Sequence, residues 1–122
     1  MDLLELKIYQ LALDMGRCIW NIAIQWKDFE KHTMGSQIIR SADSIAANIS
    51  EGFGRYHYLD KQRFYYYARG SLYETMTWMT KAHERKLVNQ VTFDQFMDNY
   101  EQLKIKLHNF IRITCKTPTG RS

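Results

Sequence analysis

The chain of 122 residues carries a net charge of +4, with 45% hydrophobic residues, 25% charged residues and a single proline. This balance is that of an ordinary globular chain and excludes wholesale disorder. A chain of this length normally forms one domain, and we predict a domain over residues 1–116 and a flexible tail over 117–122. No stretch approaches the roughly 20 apolar residues that span a bilayer. Because the N-terminus also lacks the features of a signal peptide, we expect a cytoplasmic protein without membrane contact.

The first helical segment is predicted from residue 3 to residue 31. Apolar residues recur there every three or four positions and define a buried stripe: Leu4, Ile8, Leu11, Met15, Cys18, Ile22 and Trp26. Leu6, Leu13, Ile19 and Trp20 fall outside that stripe. A loop over residues 31–35 is expected to follow, with Gly35 breaking the helix and Ser36 capping the next one.

The second segment is predicted over Ser36–Phe53, where the glycines at 52 and 54 end the helix. Its stripe consists of Ile38, Ala42, Ile45, Ile49 and Phe53. The third segment is predicted over Asp60–Lys86 with Asp60 as its cap, and its small residues, with Gly70 and Ser71, suggest close packing of helices. Its stripe consists of Phe64, Ala68, Leu72, Thr75, Met79 and Ala82.

The fourth segment is predicted to begin at a capping box, Thr92–Gln95. Its stripe consists of Phe93, Phe96, Tyr100, Leu103, Leu107, Phe110 and Thr114. No strand-like alternation competes with these patterns. Four helices joined by short loops predict an all-α fold, an up-down-up-down antiparallel four-helix bundle.

Several aromatic and apolar residues fall outside the predicted stripes. On the third segment these are Tyr65, Tyr66, Tyr73, Met76 and Trp78. Such a surface usually marks a protein partner, and self-association is the simplest case. The alternative is a monomer on which these side chains lie flat. The two cysteines, Cys18 and Cys115, are too few for a disulfide framework and are expected to be buried free thiols.

A second, polar line runs along the Ser36–Phe53 segment. Its members are Gln37, Arg40, Ser44, Asn48 and Glu51, and the third segment offers Arg69, Ser71 and Glu74 as partners. One interpretation is a site that holds an anionic or polar ligand. The other, which we prefer, is a buried network of hydrogen bonds that fixes the register of the two helices.

Residues 36–55 resemble the signature of the S23 ribosomal proteins, also known as the 23S rRNA intervening-sequence proteins. The family pattern is approximately Gln-Ile-x-Arg-x-x-x-Ser-Ile-x-x-Asn-Ile-x-Glu-Gly, followed by Ala-x-Gly-Ser-Leu-x-Glu, which Ala68–Glu74 matches. Two departures are visible: Thr33–Gly35 stands where relatives carry a proline, and Asp43 stands where they are apolar. The resemblance implies an all-helical subunit that assembles into a ring, typically a pentamer, of poorly defined function.

Enzymatic and metal-binding patterns are missing from the sequence. The four histidines are scattered, no Glu-x-x-His pair is present, and no glycine-rich loop opens a helix. We therefore predict no enzyme, no catalytic residue, no metal, no cofactor and no small-molecule substrate.

Two features favour RNA or DNA as a partner. The first is a basic ladder on the fourth segment, which comprises Lys104, His108, Arg112 and Lys116 with Lys106 nearby. The second is a loop in which basic groups and rings alternate: Arg55, Tyr56, Tyr58 and Lys61. Both features also have explanations that need no ligand. Cations near the C-terminus of a helix interact favourably with its macrodipole, and the tyrosines of the loop can pack under the bundle or at a subunit interface.

The sequence thus predicts a homo-oligomeric bundle that binds nucleic acid through its last helix. The competing hypothesis is a protein-interaction scaffold that uses exposed aromatic faces, such as those of Trp20 and Trp78, and binds no nucleic acid.

Overall fold

The computed structural model describes residues 1–114. The helices are α1 (Lys7–Ala23), α2 (Asp28–Glu30, Lys31–Gly35 and Ser36–Phe53, joined without interruption), α3 (Tyr58–Glu84) and α4 (Gln90–Thr114). A short 3-10 turn, Leu3–Glu5, precedes α1 and is capped by Asp2. Cys115, Lys116 and the predicted tail lie outside the described residues.

These residues confirm the predicted all-α, up-down-up-down antiparallel four-helix bundle. Each helix packs on two others: α1 on α2 and α4, and α3 on α2 and α4. Ser44 on α2 contacts Ser71 on α3, whereas Gly52 lies against Tyr65. Residue numbers therefore rise along one helix as they fall along its neighbour, which is the antiparallel arrangement.

The first turn of the bundle lies earlier than predicted. α1 ends at Ala23, and α2 begins at Asp28. Gly35 does not break this helix, because its backbone angles are ordinary helical ones (φ −59°, ψ −44°). The helix instead contains a π-helical turn at Lys31–Gly35, with i→i+5 hydrogen bonds, and continues through it into Ser36–Phe53. The predicted loop over residues 31–35 and the predicted cap at Ser36 are therefore wrong.

The buried face of α1 is also rotated from the predicted stripe. It consists of Ile8, Ala12, Met15, Gly16, Ile19 and Ala23. Leu4 is 65% exposed, whereas Ile19 and the preceding Leu6 belong to the core. The prediction followed the largest side chains, but α1 packs through its small residues, which let the helices approach closely.

The stripes of the other helices agree with the structure except at a few positions. On α3, Tyr65 is buried in place of Phe64, which is half-buried. On α4, Ile111 is buried whereas Phe110 only packs against the core. Gly70 serves no close packing, since a Cβ there would meet nothing within 4 Å in the described part of the chain.

The turns between the helices are fixed by side-chain hydrogen bonds that the sequence did not predict. Asn89 caps α4, because its Oδ1 accepts a hydrogen bond from the Thr92 backbone N–H at 2.8 Å. The Trp26 indole N–H donates to the Leu87 carbonyl at 3.1 Å and joins the α1–α2 turn to the α3–α4 turn. α3 begins at Tyr58 rather than at Asp60. The predicted caps at Thr92 and Asp60 are therefore wrong.

Candidate nucleic-acid interface

A shallow groove of about 320 Å³ lies between α3 and α4, lined by Tyr73, Lys104, Ile105 and His108. The Tyr73 side chain is 47% exposed. An aromatic ring here borders two side chains that can donate hydrogen bonds to an anion. The groove thus brings the predicted ladder on α4 next to a ring on another helix.

The α3 side of this surface continues beyond the groove. Tyr66, Arg69 and Tyr73 follow each other at spacings of three and four residues and therefore share one helix face. The Arg69 guanidinium carbon lies 4.8 Å from the centre of the Tyr66 ring, a cation–π contact. We call the combined surface the α3/α4 face, which comprises Tyr66, Arg69, Tyr73, Lys104, His108 and Arg112.

The helix register aligns the two halves of this face. Tyr65 contacts Phe110 edge-on at 5.1 Å between ring centres, and Tyr73 shares the groove with Lys104. With the helices antiparallel, the α3 turn of Tyr66 and Arg69 lies alongside the last turns of α4. The face therefore alternates aromatic and basic side chains across two helices.

The cations of the predicted ladder differ in their surroundings. Lys104 Nζ donates to Glu101 Oε1 at 3.0 Å, and this hydrogen bond raises the pKa of Lys104. Arg112 is exposed and forms no ion pair with any other of residues 1–114. Lys106 is also exposed, but it is about 200° around α4 from Lys104 and lies outside the α3/α4 face. Lys116 is beyond the described residues.

The second predicted candidate, the loop between α2 and α3, is largely engaged in the fold. Lys61 Nζ donates to the Gly52 and Phe53 carbonyls at 3.3 and 3.0 Å and so caps the end of α2. The hydroxyl of Tyr58 is buried.

The remaining two loop candidates are exposed. Arg55 lies 4.7 Å from the Phe64 ring centre and pairs with Glu51 at 3.5 Å. Tyr56 is 90% exposed. Of the four candidates, Tyr56 is thus the one whose ring is open to a ligand.

The predicted polar network between α2 and α3 is confined to its short side chains. Ser44 and Ser71 share a hydrogen bond between their hydroxyls, and Asn48 donates to the Ser44 carbonyl at 2.9 Å. A second contact was missed by the sequence analysis: Thr75 donates to Ser41 at 3.0 Å, with both residues buried. The signal for it was Thr75 itself, because a hydroxyl on a buried stripe requires a partner.

The long side chains of that network do not join it. Gln37, Arg40, Glu51 and Glu74 are all exposed. Glu74 accepts a hydrogen bond from the Trp78 indole at 3.2 Å, and Arg69 lies about 200° around α3 from Ser71. The prediction of one buried network is wrong for these members, because long charged side chains on these helices reach solvent or a neighbour on their own helix.

A larger groove of about 620 Å³ runs between α1 and α2, with Trp20 and Asp43 among its lining residues. Trp20 is 52% exposed. A Cβ added to Gly16 would come within 2.9 Å of Asp43 Oδ1, so the carboxyl lies directly against this glycine. Partial burial raises the pKa of Asp43. Asp43 thus places an exposed carboxylate on the wall of this groove, in contact with Gly16.

The described residues contain neither a metal-binding cluster nor a membrane-spanning helix. Residues 1–114 hold no cluster of three or more His, Cys, Asp or Glu side chains able to bind a metal ion. Nor does any helix in that range combine the length and the apolar character needed to cross a bilayer. Cys18 is a free, half-buried thiol, and burial raises its pKa.

Comparisons with known proteins identify the family. A family model described as 23S rRNA-intervening sequence protein matches residues 4–109. The chain is similar to the crystal structure of a protein of unknown function from the S23 ribosomal protein family of Bacteroides thetaiotaomicron, with a TM-score of 0.80, 20% identity and coverage of 86% of this chain and 95% of that chain. At this identity the similarity shows the fold alone. The comparison with curated proteins finds no match. Because the family model spans nearly the whole bundle, the chain belongs to the 23S rRNA-intervening sequence protein family.

Proposed function

We propose that this chain is a non-enzymatic, homo-oligomeric, cytoplasmic bundle that binds RNA or another nucleic acid through the α3/α4 face. The observation that carries the proposal is the groove in which Tyr73 borders Lys104 and His108. Beyond it, α4 contributes three basic and no acidic residues from Gln102 to Thr114. Cations positioned along a helix bind phosphates, and rings between them contact bases.

Charge reversal tests this proposal. The variant K104E/R112E is titrated with a structured RNA at low and moderate salt, beside the unmodified protein. The control is K7E/K27E, which changes the net charge equally at two exposed positions on other parts of the bundle. We expect the first variant to lose at least about tenfold in affinity at low salt and the control to lose much less. Equal losses in both variants, or no binding by the unmodified protein at low salt, would reject the proposal.

Homo-oligomerisation is supported by the apolar side chains that the isolated bundle leaves exposed. Phe29 on α2 is 75% exposed, and Ile113 and Val91 on α4 are 68% and 67% exposed. Size-exclusion chromatography with light scattering measures the assembly directly. A pentamer of 14.6 kDa chains has a mass of about 73 kDa. A mass of 14.6 kDa at micromolar concentration would contradict the oligomer.

A protein-interaction scaffold is the second candidate, and the α1/α2 groove favours it. Trp20 stands half-exposed on that groove, whereas Trp78 is half-buried and bonded to Glu74. Under this alternative, W20A abolishes capture of a foreign protein, and neither W20A nor the unmodified protein binds RNA. If both W20A and the unmodified protein capture only further copies of this chain, the scaffold hypothesis is rejected.

A further inference from the structure

We propose that the α3/α4 face binds single-stranded nucleic acid, with an unpaired base stacked on the Tyr73 ring, and discriminates against duplexes. This inference rests on the proposed function and names its ligand class. Charge alone attracts both forms of nucleic acid, so the discrimination has to come from the ring.

The surroundings of Tyr73 fit a flat aromatic ligand. The ring is 47% exposed and borders a groove of about 320 Å³ whose other walls are Lys104, Ile105 and His108. Ile105 supplies an apolar wall for a base, whereas Lys104 and His108 supply donors for the adjacent phosphate. In a duplex the bases are stacked on one another, and their faces are closed to a protein ring.

A second ring lies along the same helix face. Tyr66 is seven residues before Tyr73, which corresponds to about 10 Å along α3. That separation matches about three stacked nucleotides of one strand at roughly 3.4 Å each. Arg69 lies between the two tyrosines in sequence and holds its guanidinium 4.8 Å from the Tyr66 ring centre, where it can pair with an intervening phosphate. The face therefore places a cation between two rings that lie about three nucleotides apart, so that Arg69 can pair with one of the phosphates between two stacked bases.

The test separates stacking from charge by changing the ligand. Binding is measured by fluorescence anisotropy with an oligouridine of about 16 nucleotides, an abasic oligomer of the same length and charge, and an RNA duplex. We expect the unmodified protein to bind oligouridine about tenfold more tightly than the abasic oligomer and more tightly than the duplex. Y73L removes this ring and leaves Tyr66, so it should reduce the preference several-fold, whereas Y73F keeps the ring and should retain the full preference.

The outcomes distinguish the inference from the proposed function. If the abasic oligomer and the duplex bind as tightly as oligouridine, and K104E/R112E weakens all three, stacking is overturned and nucleic-acid binding stands. If none of the three ligands binds, both fail. Should Y73L not fold, the comparison of oligouridine with the abasic oligomer on the unmodified protein decides the question alone.

Discussion

Gly52 and Gly70 are both helical glycines, but their surroundings differ. A Cβ on Gly52 would come within 2.6 Å of the buried Tyr65 ring, whereas one on Gly70 would meet nothing within 4 Å among the described residues. We expect G52A to lower the free energy of unfolding by about 1–2 kcal/mol, because overpacking outweighs the gain in helix propensity. The matched variant G70A should raise it by up to about 1 kcal/mol. Urea denaturation measures both changes, and a change of the same sign in both variants would contradict the geometry.

Asp43 should make stability depend on pH. Burial against Gly16 raises its pKa above the ordinary value of 3.8, so the folded protein holds this proton more tightly than the unfolded chain does. Stability from this group is therefore present below the ordinary value and is lost as the pH rises through the raised pKa. D43N should accordingly be slightly more stable than the unmodified protein at about pH 7, because solvent screens this exposed carboxylate and keeps the effect small. The advantage should vanish below the ordinary pKa.

The control for that experiment is D98N, which removes an exposed carboxylate on α4. Thermal melts of both variants across the acidic range compare the loss of the Asp43 carboxyl, which contacts Gly16, with the loss of the Asp98 carboxyl. A D98N profile that matches the D43N profile would show that net charge, and not burial of Asp43, sets the dependence.

At the scale of the elements, the capping of α2 by Lys61 leads to a third prediction. Its ammonium group donates to the Gly52 and Phe53 carbonyls in the last turn of α2, where carbonyls lack partners within the helix. The Gly52 carbonyl also accepts from the Arg55 backbone N–H at 3.2 Å. K61M keeps much of the aliphatic length and removes the donors, so it should cost about 1 kcal/mol of stability. R63M, which alters an exposed i,i+3 ion pair on the same helix, should cost less. If K61M and R63M shift the denaturation midpoint by the same amount, Lys61 does not act as a cap of α2.

The same helices show what a single sequence can predict. The end of α2 at Phe53 was predicted correctly, because the apolar spacing and the glycines at 52 and 54 are local signals. The helical path through Gly35 was missed, because a π-helical turn leaves no local signature. The buried face of α1 was missed because small residues such as Ala12 pack closely only once a neighbouring helix is in place. Local patterns therefore predict where a helix lies better than which of its faces is buried.

At the scale of the whole molecule, the candidate site combines a local pattern with a tertiary one. The spacing of Lys104, His108 and Arg112 was visible in the sequence, since it repeats every four residues on one helix. Tyr73 and Arg69 were not assigned to that site, because their neighbours on α4 depend on the antiparallel register of α3 and α4. Arg69 was instead predicted to be a partner of the polar line on α2. Its position around α3, however, places it on the opposite side of the helix from Ser71.

The positive charge of the molecule leads to the last prediction, the salt dependence of binding. The logarithm of the association constant for a single strand falls with the logarithm of salt concentration, with a slope of about −0.7 per phosphate contact. R112Q should therefore flatten the slope by about 0.7 for each chain that contacts the strand. K104Q should flatten it less, because Lys104 already pairs with Glu101 at 3.0 Å. Anisotropy titrations over a range of salt concentrations measure the slopes, with K7Q as the control at an exposed position outside the α3/α4 face. If K7Q changes the slope as much as R112Q does, the overall positive charge of the protein binds the strand, and the α3/α4 face is not a localised site.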